Sequence, residues 1–412
     1  MRFPPVPEQM DLIRRGSDEI LPEDELEEKL EGSLASGTPL RVKQGFDPTR
    51  PDLHVGHTVS LRKLRDFQDL GHQVVFLIGD FTALIGDPSG RSETRPPMTA
   101  AEVAENAATY QEQVFRILDR ERTTIERNSR WLAPLGFADV IRLAAKVTVA
   151  RMLERDDFAK RYGEERPISM HELLYPLAQG YDSVALNADV ELGGTDQKFN
   201  LLMARDIQRE FGLDPQVAIT MPLLEGTDGT QKMSKTANNA VGITEAPGEI
   251  YGKTMSIPDA LIPRWFELAT RIPADELTAV RAALAGAEAN PRDLKRRLAR
   301  ELVRQFHGED AAEAAEAEFD RLFVQRELPE ELPLRTLATA DLSSYEAATG
   351  TVLLAQALQA AGLVPSYSEG LRMVRQGAVT LDGERAGSER IECSREWTVR
   401  VGKRRFARIR FR

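Results

Sequence analysis

The chain has 412 residues, more than one ordinary hydrophobic core organises, so two or three domains are expected. Hydrophobic residues at 42% and charged residues at 29% exclude a disordered chain, and no run approaches the ~18 apolar residues of a membrane span. The net charge of −11 argues on average against nucleic-acid binding, but Gly350 to Arg412 holds 12 Lys/Arg against 6 Asp/Glu, so the tail is +6 and the remainder −17; a phosphate backbone responds to that local field. The single cysteine, Cys393, allows neither an intramolecular disulfide nor a thiolate zinc cluster. Met1-Arg2-Phe3-Pro4-Pro5-Val6-Pro7 lacks the apolar core of a secretion signal, so a reducing, cytoplasmic setting with no membrane partner is expected.

Residues 8–40 read as helical and charged, ending at Gly37-Thr38-Pro39. Arg41 to Phe46 reads as a strand, followed by a Pro-rich loop from Asp47 to Leu53. Leu61, Leu64, Phe67 and Leu70 then recur at helical spacing, with Gly71 as the stop. Gln73 to Ile78 is almost continuously apolar, as in a strand covered on both faces. Strand, loop, helix and parallel strand make the first unit of an α/β, Rossmann-like, doubly wound parallel sheet. Thr99-Ala-Ala-Glu102 reads as a capping box opening a helical insertion over 99–165. The sheet is expected to resume around Val184–Leu192 and Val217–Leu224, and the chain turns helical from Ala246 to Arg326. Glu327 to Pro333 reads as a linker. The expected domains are 1–240 (sheet-bearing), 241–335 (helical) and 350–412 (a small α+β tail).

The first chemical clue is His54-Val55-Gly56-His57, at the start of the first sheet helix. A helix N-terminus presents unpaired N–H groups and partial positive charge, two imidazoles add donors, and Gly56 leaves room for a nucleotide ring. Taken alone the four residues could equally be ordinary cap histidines. A metal pair is disfavoured because no cluster completes a site. The second clue is Gln231-Lys232-Met233-Ser234-Lys235-Thr236, on a loop after an Asp228-Gly229 turn. Two lysines beside small hydroxyl residues can neutralise a triphosphate as charge builds between departing phosphates, and a loop can close and reopen. A lone Lys-rich loop is usually solvated surface; both motifs in this order on this sheet make chance improbable.

At this pair the sequence resembles the class I aminoacyl-tRNA synthetases, HVGH being similar to their HIGH signature and KMSKT to KMSKS. The resemblance implies amino-acid adenylate formation from ATP with Mg²⁺, then transfer to the 3′ end of a tRNA. It also implies that His54 and His57 stabilise the transition state while Lys232, Lys235 and Thr236 hold the pyrophosphate portion.

Tyr175, Gln179 and Asp182 fall on one helical face. An inward Asp182 can accept a phenolic proton, and phenylalanine would leave that carboxylate unpaired; a polar stripe facing solvent is the bland alternative. Here the chain resembles the tyrosyl-tRNA synthetases over nearly its whole length. Gly45-Phe46-Asp47-Pro48-Thr49 is similar to the family's GFDPT segment, which implies that Asp47 and Thr49 line the ATP site. Gly86-Asp87-Pro88-Ser89-Gly90 is similar to GDPSG, which implies that Asp87 meets the substrate ammonium with Tyr175 and Gln179. Gly193-Gly194-Thr195-Asp196-Gln197 is similar to GGSDQ, which implies that Gly194 and Asp196 hold the ribose with Gln197 near the amino-acid carboxyl. One departure stands out: Lys43 occupies the place of a family tyrosine that meets the substrate hydroxyl. Either Lys43 donates to the phenolic oxygen or the hydroxyl relies mainly on Asp182. Asp80 is a strand-end turn residue or a further pocket residue, and Arg91 and Arg95 are phosphate contacts or plain surface. A tryptophan-specific relative is the rival, since an indole N–H also wants an acceptor.

Residues 363–385 resemble an S4 RNA-binding module. Ser366 or Ser368 can cap a helix carrying Arg372 and Arg375, Gly377 ends it, and Asp382-Gly383 supplies a hairpin turn. Lys403, Arg404 and Arg405 open a closing run in which apolar and basic residues alternate. RNA contacts there would be mostly to phosphates. The resemblance also implies tRNA(Tyr), ATP and L-tyrosine as partners and a homodimer formed through the helical insertion.

Overall fold

The computed structural model describes residues 3–89, 98–286, 289–325, 332–402 and 405–412. Gly90, Arg91, Arg95, Lys403, Arg404 and most of the expected linker lie outside the described residues. The chain divides into two compact units, Met1–Ala312 and Glu313–Arg412.

The first unit is organised by β1 (Glu19–Leu21), β2 (Arg41–Phe46), β3 (Gln73–Ile78), β4 (Thr123–Arg127), β5 (Val190–Gly194) and β6 (Val217–Met221), in the spatial order β1-β6-β5-β2-β3-β4. β2 and β3 pair in parallel from Arg41↔Gln73 to Phe46↔Ile78, and all of β3 after Gln73 is buried. β2 also pairs in parallel with β5, so strand order reverses direction between them. That reversal opens a crevice at the carboxyl ends of the strands, where ligands of open α/β sheets bind. The Val55–Asp69 helix runs back from the crevice, burying Leu61, Leu64 and Phe67, and packs on β3 and β5.

Three strand assignments differ from expectation. β1 lies inside the stretch read as wholly helical, and pairs antiparallel with β6, making the sheet mixed. At three residues it is too short to show a period. β4 lies inside the expected helical insertion and pairs in parallel with β3. It is an edge strand whose residues are half-buried or exposed, so its sequence, Thr-Thr-Ile-Glu-Arg, never needed an apolar run. Val184 belongs to the Met170–Leu186 helix, which Asn187 ends in the left-handed region (φ 47°), and β5 starts only at Val190.

The helices between Pro247 and His307 pack within the same unit as the sheet. Arg62 donates to the Leu268 carbonyl at 3.1 Å, Arg15 to that of Ile272 at 2.7 Å, and buried Trp265 to that of Glu225 at 3.2 Å. The expected boundary at 240 is thus not a gap in packing. No helix among the described residues is long and apolar enough to cross a membrane.

In the second unit, the Leu354–Ala360 and Tyr367–Arg375 helices share a core with β7 (Leu334–Leu337), β8 (Thr351–Leu353), β9 (Val379–Leu381), β11 (Arg390–Glu392), β12 (Trp397–Val401) and β13 (Arg405–Phe411), while β10 (Glu384–Arg385) is exposed. Leu358, Val374, Val379, Val399 and Ile409 are buried in it. Of the two candidate caps, Ser366 is the one used, its Oγ accepting from the Glu369 amide at 3.2 Å. Asp382 (φ 50°) and Gly383 (φ 91°) turn β9 into β10. In β13, Ala407 and Ile409 are buried while Arg408 and Arg410 are exposed.

Candidate active site

β2, β3, β5 and β6 each contribute residues at or just beyond their carboxyl ends. Asp47 and Thr49 follow β2, Gly79 and Thr82 follow β3, Gly194 to Gln197 follow β5, and Pro222 to Leu224 follow β6. Together with His54, His57, Tyr175, Gln179, Asp182 and the Lys232–Thr236 loop they line one cleft of about 820 Å³. Gly79 has to be glycine: a Cβ there would collide with Asp47 Oδ1 and Thr82 Oγ1.

The two phosphate motifs meet directly. The Gly56 amide donates to Met233 Sδ at 3.2 Å, and a Cβ on Gly56 would lie 3.1 Å from the His54 ring. Met233 is buried at 1% exposure, so its side chain anchors a loop whose flanking Lys232 and Thr236 are exposed. The loop is braced from behind by buried Asn239, whose Oδ1 accepts from the Ser234 amide at 2.7 Å and whose Nδ2 donates to Asp228 at 2.9 Å. The segment after the loop returns to the histidines, with the Val55 amide donating to the Val241 carbonyl at 2.9 Å. Lys232 Nζ lies 2.6 Å from Asp196 Oδ2, and Lys235 pairs with Asp52.

His54 and His57 stack with ring centroids 3.8 Å apart. His57 Nδ1 accepts from the His54 backbone amide at 3.1 Å, so in the neutral ring the proton sits on Nε2. Burial, then the nearby Lys232 and Lys235, pulls His57 down to about 4 and His54 well below the ordinary range. Both rings are therefore neutral donors at physiological pH, not counter-cations.

On the amino-acid side, Tyr175 donates its hydroxyl to Asp47 Oδ2 at 3.0 Å, and Thr82 donates to Oδ1 at 2.7 Å. Burial pushes the Asp47 carboxyl up to about 7 against the Thr82 hydrogen bond. Asp87 accepts from Gln197 Nε2 and from the Ser89 amide, both at 2.8 Å. At the floor Asp182 accepts from Trp131 Nε1 at 2.8 Å and Asn128 Nδ2 at 3.2 Å, and burial raises its carboxyl to about 7 although Lys43 opposes this. Trp131, Asn128, Thr82, Asp52, Asn239 and Glu191 carried no sequence signal; each is identified only by its long-range partner.

Lys43 is placed away from the cleft, which leaves the alternative that relies on Asp182. Its Nζ pairs with Glu191 Oε1 at 3.0 Å, both side chains being 1% exposed. Asp80 is the turn residue, accepting from the Ser129 amide at 2.9 Å and hydroxyl at 2.8 Å. In the second unit Arg372 is exposed, Arg375 pairs with Glu389 at 3.1 Å, and Arg405 is held by Glu369 at 3.1 Å and the Leu363 carbonyl at 2.8 Å. Arg405 thus ties β13 to the helix region and has little left for a phosphate. Among the described residues no group of three or more His, Cys, Asp or Glu is arranged to hold a metal ion.

The family model described as tRNA synthetases class I (W and Y) matches residues 35–324. A tyrosine–tRNA ligase of Moorella thermoacetica is 55% identical over 98% of this chain and 96% of its own length, and one of Geobacter sulfurreducens is 54% identical over 98% and 99%. A solved Archaeoglobus fulgidus tyrosyl-tRNA synthetase complexed with L-tyrosine superposes with a TM-score of 0.63, covering 76% of this chain and 100% of that one; at 23% identity the likeness speaks for the fold alone. The chain belongs to the tyrosine–tRNA ligase family.

Proposed function

We propose that this cleft activates L-tyrosine with Mg²⁺-ATP and passes it to tRNA(Tyr). A tyrosine carboxylate oxygen attacks the α-phosphorus, the bond to the β-phosphate oxygen breaks, and pyrophosphate leaves. The tRNA 3′-terminal hydroxyl then displaces AMP from the carbonyl carbon. No protein group needs to bond covalently, so the residues act by placement and charge. The Nε2–H of His57 and the ring of His54 face the phosphates, and Lys232, Lys235 and Thr236 take the pyrophosphate as it departs. Gly194, where a Cβ would lie 2.8 Å from Leu223, lets the ribose approach backbone beside Asp196. Asp47 and Thr49 line the ATP side. Asp87, Gln179 and the lone pairs of Tyr175, whose proton is committed to Asp47, accept the ammonium, with Gln197 near the carboxyl and Asp182 beneath the phenol.

The observation that carries this reading is the Gly56–Met233 contact, which joins both phosphate motifs over the cleft that holds Asp182. ATP–pyrophosphate exchange with tyrosine, tryptophan and phenylalanine supplied separately tests it. Exchange is expected with tyrosine alone at micromolar to millimolar concentration; exchange driven by tryptophan would hand the site to the rival.

The sheet is Rossmann-like in this reading, the helical stretch 241–335 lies on the anticodon side, and the 350–412 tail is an S4-like module that meets tRNA phosphates through Arg372 and Arg375. The setting is the cytoplasm, where tRNA and ATP are met. Phe137, Ile141, Val149, Tyr162 and Met170, all more than half exposed, concentrate apolar surface between residues 137 and 170. A second copy of the chain is the occupant we assign. Light scattering is expected to give twice 45.9 kDa for the wild type and a monomer for Phe137→Glu/Met170→Glu; an unchanged mass removes the interface from this face.

A further inference from the structure

Lys43 and Glu191 face each other in the parallel β2–β5 ladder, so sheet register itself places an ammonium against a carboxylate in the core. Burying two charges costs several kcal/mol each by general estimates, and two apolar residues would commonly serve stability as well. This pair is nonetheless fully satisfied. Glu191 Oε1 accepts from Lys43 at 3.0 Å and from Gln179 Nε2 at 3.2 Å, while Oε2 accepts from Ser183 at 3.2 Å and from Gln216. Four donors fill the four lone-pair positions of an acceptor-only group.

The consequence falls on Gln179. A carboxamide can present either end, and what selects the end is its fixed neighbour. With Glu191 offering only acceptors, Nε2 must turn inward and Oε1 must turn away. Gln179 Oε1 is buried without a hydrogen-bond partner, and the residue borders the cleft. A buried carbonyl oxygen without a partner, on a residue that borders the cleft, is free to accept from a ligand's donor. Lys43 adds a second tie by approaching the Gln179 backbone carbonyl at 3.5 Å.

We propose that Lys43 and Glu191 are positioning residues for substrate-ammonium recognition: together they lock the Gln179 carboxamide with its oxygen toward the cleft. This rests on the tyrosine reading above. A carboxamide at position 191 could donate as well as accept, which would free Gln179 to turn its NH₂ group toward the ammonium.

Two competitive inhibitors separate this from a general loss of fold. Tyramine keeps the phenol and ammonium; desaminotyrosine keeps the phenol and carboxylate. For Glu191→Gln, the tyramine inhibition constant is expected to rise on the order of 10-fold or more, the size of a lost charged hydrogen bond, with desaminotyrosine changed less than about twofold. KM for tyrosine should rise while kcat at saturation stays within about threefold. The swap Gln179→Glu/Glu191→Gln, which restores an acceptor facing the cleft and keeps the charge count, is expected to recover tyramine binding. Should Glu191→Gln not fold because Lys43 is left unpaired, Lys43→Gln/Glu191→Gln removes both charges and should show the same selective loss. Equal losses for both inhibitors, or no selective loss in any folded variant, overturns the proposal. A wild-type protein that binds neither inhibitor nor tyrosine would instead sink the tyrosine reading.

Discussion

Replacing Asp182 by alanine is expected to lower kcat/KM for tyrosine by at least about 100-fold while changing that for phenylalanine by less than about 10-fold. The asymmetry follows from what surrounds the carboxylate. Trp131 and Asn128 each hold one oxygen, leaving lone-pair positions open for a further donor at the base of the cleft. A phenolic hydroxyl supplies that donor, whereas phenylalanine leaves a buried carboxylate short of a partner. Discrimination of ~10⁵ by such hydroxyl reading is a magnitude established for tyrosyl-tRNA synthetases themselves and adopted as such. Parallel pyrophosphate-exchange kinetics with the two amino acids check it; equal losses would remove Asp182 from the role.

The same residue sets a pH signature. Burial holds its carboxyl near 7, so ionisation, and with it the strongest acceptor, is completed only above neutrality. The tyrosine kcat/KM is expected to climb as pH rises through about 7, and Asp182→Asn should flatten that limb. The stability sign is opposite. A carboxyl whose folded value lies above its unfolded value of 3.8 favours the fold fully below 3.8, and that contribution is lost as pH rises through about 7. Asp182→Asn should thus melt higher than the wild type at pH 8 while activating tyrosine poorly, a stability–function conflict of on the order of 4 kcal/mol.

How much of this was legible follows from the range of each interaction. β3 was readable because a strand covered on both faces writes an apolar run, while β1 and β4 sit at sheet edges and write none. His54, His57, Lys232 and Lys235, which line one cleft, were readable because they fall in two short motifs. The residues that orient the site were not. Trp131 stands 51 residues from Asp182, and Asn239 braces the lysine loop only through the fold. Lys43 shows the limit most clearly. Its place in the motif suggested the substrate hydroxyl, but its partner was set by the adjacency of β2 and β5, a fact of topology that no local pattern contains.

Alanine at Lys232 or Lys235 is expected to reduce kcat for tyrosine-dependent pyrophosphate exchange by roughly 10²–10³, with the tyrosine dissociation constant within about twofold of wild type. Buried Met233 fixes the loop between them, so each lysine head is positioned without freezing its stem. Asp196 and Asp52 hold those heads before ATP arrives, keeping them near the cleft instead of spread into solvent. Because charge on the bridging oxygen and pyrophosphate grows only as the α-phosphorus bond breaks, the lysines contribute more to the transition state than to the bound ground state. The neutral imidazoles complement them: His57 donates from Nε2 without adding repulsion between cations, its basicity being lowered by burial and then by Lys232 and Lys235. Single-turnover adenylate formation and equilibrium tyrosine binding, measured on the same variants, separate the two terms. A loss appearing mainly in tyrosine affinity would place the lysines in amino-acid binding and detach the loop from phosphate transfer.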